Sequence, residues 1–290
     1  MRAAAIVGLG SSTKDLELFQ KSSNVTWSMG LPTSQAGADA ILVFGGDGTI
    51  HRHLAELVNL RLPVLIVPCG SGNDFARALN LRSVQDSLAA WLKFSTGGIN
   101  VRRVDLGLIT CLSGTRNSTP FCSVGGVGLD GEIARRANRL PRWLRAHGGY
   151  ALSLPAALLK FSPSPMKVLV ADAKRTGEYI ERSHQRTIVA AFANTPVYGG
   201  GMKIAPRALL DDGLLDVCVV GNVAKLRLLR LFPSVYFGRH LNVPEVGYFQ
   251  TDRLRIETQS PLDVYADGEY VCHTPIEVSV APEALTVVAP

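Results

Sequence analysis

Two glycine-rich turns constrain this chain more than any other feature: Gly45-Gly46-Asp47-Gly48-Thr49 and Gly70-Ser71-Gly72-Asn73-Asp74. Each follows a short apolar run that reads as a buried strand, residues 40–44 before the first and 64–67 before the second. Each precedes a helical pattern, residues 50–60 and 75–81. A strand, a glycine turn and a helix start make a phosphate site. Glycine lets the main chain approach an anion, and the N–H groups and dipole of the helix start favour negative charge. Two such turns in quick succession point to a nucleotide rather than a lone phosphate.

The surrounding pattern agrees. Residues 3–7 read as a first strand, 13–21 as a short helix and 84–94 as another helix. Strands alternating with helices predict an N-terminal, doubly wound, mainly parallel α/β nucleotide-binding domain over residues 1–105, with ligands bound outside the carboxyl ends of its strands. From about residue 101 short apolar or alternating runs take over, at 101–106, 166–170, 187–192, 214–220, 254–257, 262–265, 276–280 and 285–288. They predict a mostly antiparallel β-sandwich domain over 106–290, whose last residues can return to the first domain. Helical insertions interrupt it near 132–145, 149–160 and 224–232.

With 290 residues, 47% of them apolar, the chain can bury a sizeable core. Its formal charge of +6 suits an anionic partner. The five cysteines form no Cys-x-x-Cys pair, so a zinc or dithiol motif is not expected; Cys69, beside the second turn, reads as a small packing residue. No apolar run reaches the ~20 residues that span a bilayer, and the apolar start is too short for a secretory signal, so a cytoplasmic protein is expected. His-Glu-x-x-His and Gly-x-Ser-x-Gly are both missing.

The turns carry their own chemistry. Asp47 cannot hold a phosphate directly, because like charges repel; a carboxylate there makes sense with Mg²⁺ or water between. Thr49 suits a cap for a helix starting at Ile50. Ser71 can donate a hydroxyl to phosphate, Asn73 offers an amide to a base or ribose, and Asp74 can orient Asn73 or join Asp47 at a metal. The loop Gly8-Leu9-Gly10-Ser11-Ser12-Thr13-Lys14 fits neither the dinucleotide fingerprint nor the P-loop, though Lys14 could neutralise a phosphate. Asp267-Gly268-Glu269 reads as a β-turn. Arginines 135, 136, 139, 142 and 145 flank Leu140, Trp143 and Leu144, and Lys225, Arg227 and Arg230 alternate with leucines up to Phe232. Both stretches suit an anionic membrane surface, or equally a solvated helix face over a buried stripe.

The first turn, together with Pro68-Cys69-Gly70-Ser71-Gly72-Asn73-Asp74-Phe75-Ala76-Arg77, resembles the diacylglycerol kinase-like catalytic domain of bacterial diacylglycerol kinases, sphingosine kinases and ceramide kinases. The first turn alone is shared with NAD kinases and phosphofructokinases; the second is far more specific. Residues 125–130, Gly199-Gly200-Gly201, Pro206, Asp211-Asp212-Gly213 and Asp267-Gly268-Glu269 extend the resemblance over the whole chain. It implies transfer of the γ-phosphate of ATP to a lipid hydroxyl, with Mg²⁺. Gly45, Gly46, Asp47, Gly48, Thr49, Gly70, Ser71, Asn73 and Asp74 would hold the nucleotide. Asp267 or Glu269 would be the general base and the other its helper. Asp212 would bind a structural Mg²⁺ with the carbonyls of Leu209 and Leu214, and Asp105 would be a third acid beside Asp47 and Asp74.

The chain departs from the family at its first loop, where an Asn-Pro phosphate loop is usual. The implied partner is a lipid at the inner face of an anionic membrane, not nucleic acid, and exposed sheet edges allow a homodimer. The acceptor stays open among diacylglycerol, sphingoid bases, ceramide, phosphatidylglycerol and isoprenoid alcohols. The alternatives are a soluble-substrate kinase of the NAD kinase or phosphofructokinase type and a catalytically silent nucleotide- and membrane-binding protein.

Overall fold

A computed structural model of the chain describes residues 1–114, 116–139, 149–172, 175 and 177–290. They form two compact units, Met1–Asp105 with Pro282–Pro290, and Leu106–Ala281. The chain leaves the first unit within one strand and returns to it within another.

The first unit is built on strands β1 (Arg2–Val7), β2 (Thr26–Met29), β3 (Ala40–Gly45) and β4 (Val64–Pro68), joined by the end of β15 (Ile276–Val288). Their order is β2-β1-β3-β4-β15, and every neighbouring pair is parallel. Strands β3 and β4 are buried along their whole length, which is what their unbroken apolar runs dictate in a sheet covered on both faces. The covering helices are α1 (Thr13–Ser22), α2 (Asp47–Leu60), α3 (Asp74–Ala78) and α4 (Val84–Ser95). Phe19 of α1 meets Phe44 of β3 edge-to-face, with ring centroids 5.1 Å apart, and the Trp91 indole of α4 donates to the Ser23 hydroxyl at 3.1 Å. The chain winds outward from β1 to β2, then starts again at β3 on the other side of β1. That reversal puts the topological switch point between β1 and β3.

Strand β5 (Val101–Cys111) carries the chain into the second unit. There follow β6 (Ser118–Phe121), β7 (Val124–Gly128), β8 (Ser164–Ala171), β9 (Tyr179–Ala193), β10 (Leu215–Gly221), β11 (Val246–Thr251), β12 (Arg253–Thr258), β13 (Asp263–Ala266) and β14 (Glu269–His273). The path β14-β13-β7-β9-β8-β12-β15 is antiparallel at every step. Strand β9 turns the corner. Its first half pairs with β8, and its second half lies between β7 and β10. The inward residues Phe121, Val127, Val168, Phe192, Val217, Leu254, Val264 and Val278 close one apolar core. Helices α5 (Leu129–Arg139) and α6 (Gly149–Lys160) pack through Leu129, Ile133, Leu154 and Leu158 against Ile188 and Val223.

The two basic stretches have different fates. On α5, Arg135 and Arg136 pair with Glu132, at 2.5 and 2.7 Å, and Leu140, Arg142, Trp143, Leu144 and Arg145 lie outside the described residues. Helix α7 (Lys225–Leu231) buries none of its residues, and Leu226 is 73% exposed among Lys225, Arg227 and Arg230. Arg227 pairs with Glu245.

His240 is buried, with its Nε2 3.1 Å from the Ile204 carbonyl and its Nδ1 buried without a partner among the described residues. Burial lowers its pKa below the ordinary histidine value. The unfolded chain therefore binds this proton more readily than the fold, so stability falls as pH drops below about 6.5 and is level above it. Urea midpoints at pH 7.5 and 5.5 are expected to differ more for the native chain than for His240→Gln, which keeps a donor for Ile204 and cannot titrate.

Candidate active site

Three loops leave the carboxyl ends of β1, β3 and β4, and main-chain bonds lock them together. The Gly8 amide donates to the Phe44 carbonyl at 2.8 Å, and the Cys69 amide donates to the Gly45 carbonyl at 3.1 Å. The Ser11 hydroxyl lies 2.7 Å from the Gly8 carbonyl and 2.8 Å from that of Phe44. The two glycine turns touch at their backbones. A methyl group on Gly46 would sit 2.8 Å from the Gly70 Cα, closer than carbon atoms approach, so the contact requires glycine.

Helix α2 starts earlier than its sequence pattern suggests. Gly46 is its N-cap, and the amides of Thr49 and Ile50 donate to the Gly46 carbonyl at 2.9 and 3.2 Å. Thr49 is therefore not the cap. It is buried in the first turn, and a side chain on Gly45 would come within 2.6 Å of its Cβ. A cap without a side chain leaves the start of a 14-residue helix open to an incoming anion.

Asp47 ties the two turns. Its Oδ2 accepts the Asp74 amide and its Oδ1 the Phe75 amide, both at 3.2 Å, so a residue of α2 caps the start of α3. Asn73, in the left-handed region at φ 56°, closes the second turn on itself: its Oδ1 accepts the Gly70 amide at 2.9 Å and its Nδ2 donates to the Gly70 carbonyl at 2.8 Å. Asp74 is buried, 3.5 Å from Arg77 Nη1. Ser71 and Gly72 form the outer rim of the turn, with Ser71 exposed. Burial pushes the Cys69 thiol up to about 11, so it stays protonated beside the turn. Lys14 is exposed in the first turn of α1, whose start is closed by Ser12 and Asp15. Asp105 is buried, and its Oδ1 accepts the Glu283 amide at 2.7 Å. Its carboxylate thus fastens the returning end of the chain.

In the second unit Asp267 and Gly268 are the two turn residues between β13 and β14, both left-handed at φ 51° and 84°. That is a type I′ hairpin, which Asp-Gly favours because it needs positive φ twice. The Asp267 carboxylate is held on both oxygens, Oδ1 by the Ser123 amide at 2.8 Å and Oδ2 by the Cys122 amide at 2.9 Å. Its own amide donates to the Val124 carbonyl at 3.0 Å. Asn194 steadies that segment in turn, donating from Nδ2 to the Cys122 carbonyl and from its amide to the Ser123 carbonyl, at 3.2 and 2.8 Å. Glu269 is the exposed first residue of β14.

Asp212 accepts the Leu214 amide on Oδ1 at 3.0 Å, and Gln250 Nε2 reaches its Oδ2 at 3.4 Å. Beside it Asp216 is fully buried, taking the Tyr248 hydroxyl at 2.5 Å and Gln250 at 3.1 Å. Burial raises the pKa of Asp216. Among the described residues no three acidic, histidine or cysteine side chains share a metal geometry, so a cation at Asp212 needs main-chain oxygens as well.

A family model described as the diacylglycerol kinase catalytic domain matches residues 20–109, and one described as the YegS C-terminal NAD kinase beta sandwich-like domain matches residues 123–289. A diacylglycerol kinase of Mycobacterium tuberculosis is 35% identical over 254 residues, 88% of this chain and 78% of that one. The chain belongs to the diacylglycerol kinase family. It is a lipid kinase and uses ATP. A diacylglycerol kinase of Bacillus subtilis is 26% identical, covering 80% of this chain and 71% of its own. A crystal structure of a diacylglycerol kinase from Bacillus anthracis has the same fold, with a TM-score of 0.68 at 20% identity, covering 100% of this chain and 97% of that one. An α/β domain followed by a β-sandwich is therefore the architecture of this lipid kinase.

Three residues that orient Asp267 in this kinase had no sequence signal. Cys122 and Ser123 lie in the short link between β6 and β7 and Asn194 just after β9, all more than seventy positions from the turn they hold. Asp216 is a similar case. A lone acid inside the apolar run of β10 signals a buried polar network, although not which one.

Proposed function

We propose that this kinase phosphorylates diacylglycerol at an anionic membrane surface, with Mg²⁺. The observation that carries this reading is the pair of touching glycine turns at the carboxyl ends of β3 and β4, joined by the Asp47 carboxylate. The backbone of Gly45, Gly46 and Gly48, with Thr49 beneath it, forms the open start of α2, where a triphosphate tail is attracted by N–H dipoles. Ser71 and Lys14, both exposed, are the donors proposed to complete the cradle; Gly70 and Asn73 fix its shape.

Mg²⁺, when bound, offsets the charge on the transferring phosphoryl group. Asp47 and Asp74 supply hard oxygen donors next to each other, which suits that ion; Asp105, which accepts the Glu283 amide, is proposed as an acid that supports the network and not as a third ligand of the ion. A second, structural Mg²⁺ is proposed at Asp212 with the carbonyls of Leu209 and Leu214. Asp267 is assigned as the base that takes the proton of the lipid hydroxyl, because two amides fix where its remaining lone pairs point. Glu269, exposed on β14, is assigned as the helper. Among the described residues no helix is long and apolar enough to cross a membrane. Helix α7, with Leu226 exposed among its basic residues, and Phe237, 70% exposed beside Arg239, support peripheral contact with anionic lipid.

The test uses γ-labelled ATP and Mg²⁺ with vesicles of phosphatidylcholine and phosphatidylglycerol carrying diacylglycerol, a sphingoid base or ceramide, and with soluble NAD and sugars. Label is expected in phosphatidic acid, faster as phosphatidylglycerol is raised, and absent after chelation of Mg²⁺. Label in NAD or a sugar, or in no acceptor at all, would overturn this reading.

A further inference from the structure

Asp130, in the first turn of α5, is 3% exposed and takes the Tyr198 hydroxyl on Oδ1 at 2.8 Å. Burying a carboxylate is costly unless it is bonded, and this bond joins residues 68 positions apart. Both of its ends run into the support of Asp267. On the Asp130 side, a side chain on Gly126 would come within 2.5 Å of Asp130 Oδ2, so the carboxylate lies close against the main chain of β7. Gly126 pairs with Tyr265, two residues before Asp267, and Val124, two residues before Gly126, accepts the Asp267 amide. On the Tyr198 side, Asn194 and Thr195 are fully buried and donate from their amides to the Ser123 carbonyl, at 2.8 and 3.3 Å. The Ser123 amide in turn holds Asp267 Oδ1.

Tyr198 also opens the glycine loop. It exchanges two main-chain bonds with Met202, each 3.0 Å, and Gly199, Gly200 and Gly201 between them are all left-handed, at φ 60°, 84° and 110°. A side chain on Gly200 or Gly201 would meet nothing within 4 Å, so space lies open beside the loop. Glycine permits this conformation but brings no side chain to hold it. The Tyr198 hydroxyl, one residue earlier, supplies a hold. We propose that Asp130 and Tyr198 are positioning residues for the lipid acceptor: their bond clamps the loop 199–201 as a wall that sets the lipid hydroxyl in line with Asp267. This rests on Asp267 being the base. An acceptor misplaced by about 1 Å can lose about 10²-fold in rate. Asp130, Tyr198 and Asp267 all belong to the unit Leu106–Ala281, whereas the turns proposed for ATP belong to the other. Loosening the clamp is therefore expected to change acceptor kinetics and spare those of ATP.

The test measures phosphatidic acid formation from diacylglycerol in mixed vesicles, varying each substrate in turn. Tyr198→Phe removes one hydroxyl and keeps the ring, so the fold survives. It is expected to lower kcat/KM for diacylglycerol by about 10- to 100-fold and to leave the KM for ATP unchanged. Asp130→Ala should do the same, and the double variant no more than either, because the bond is already gone. Asp130→Asn still offers an oxygen to the hydroxyl and should fall between Asp130→Ala and the native chain. Without lipid or ATP, amide hydrogen exchange over residues 196–204 is expected to speed up in Tyr198→Phe. Native kcat/KM for diacylglycerol in Tyr198→Phe, equal losses for both substrates, additive losses in the double variant or unchanged exchange would overturn the proposal while the assignment of Asp267 stands. A native chain that forms no phosphatidic acid would instead overturn the reading beneath it, and the proposal with it.

Discussion

Replacing Asp267 with Asn is expected to lower kcat by about 10²–10⁴-fold and leave the KM for ATP near its native value. Asn tolerates the left-handed φ that Asp267 adopts, so the type I′ turn survives. Its carbonyl oxygen still accepts one of the Cys122 and Ser123 amides. Its NH₂ faces the other, which costs about 1–3 kcal/mol of stability and leaves the fold intact. What the substitution removes is the proton acceptor. Glu269→Gln separates the two acids: it changes an exposed side chain at the start of β14 and is expected to keep most of the turnover. The assay is phosphatidic acid formation at saturating ATP, with circular dichroism to check the fold. A slow Glu269→Gln beside an active Asp267→Asn would reverse the assignment.

Replacing Asp47 with Ala is expected to lower kcat by at least about 10³-fold, since it removes a preorganised carboxylate from the proposed metal site. The same change strips the cap from α3, leaving the Asp74 and Phe75 amides without the Asp47 oxygens. That costs about 1–2 kcal/mol, visible as a lower urea midpoint but not as unfolding at 25 °C. Asp47→Asn should recover part of the stability, because one amide regains an acceptor, and little of the activity. Native turnover in Asp47→Ala would remove this residue from the mechanism.

Much of the fold was legible because the parallel sheet writes itself plainly. Strands β3 and β4 are buried on both faces, so each appears as an unbroken apolar run ending in a glycine turn. Strand β2 left no such mark: it is an edge of four residues, three of them exposed. The runs at 276–280 and 285–288 are one strand, and Pro282 with left-handed Glu283 at φ 50° hides the join. In β9 only the buried second half shows an apolar pattern, since Tyr179–Arg186 is polar and largely exposed. Helix α2 begins at Asp47 rather than Ile50 because capping rules favour a hydroxyl, and here a glycine carbonyl serves while Thr49 is packed beneath the turn. Motifs named the acids in both units. Their hydrogen-bond partners come from segments distant in sequence, as with Asp105 and Glu283 or Asp267 and Ser123, and local pattern carries no record of such pairs.

The two touching glycine turns are proposed to hold the triphosphate of ATP. The most direct measurement is a crystal structure with Mg²⁺ and a non-hydrolysable ATP analogue. The phosphates are expected within hydrogen-bonding distance of main-chain amides between Gly45 and Thr49 and between Gly70 and Asp74, with the metal against Asp47. Phosphates bound elsewhere, with both turns empty, would contradict it.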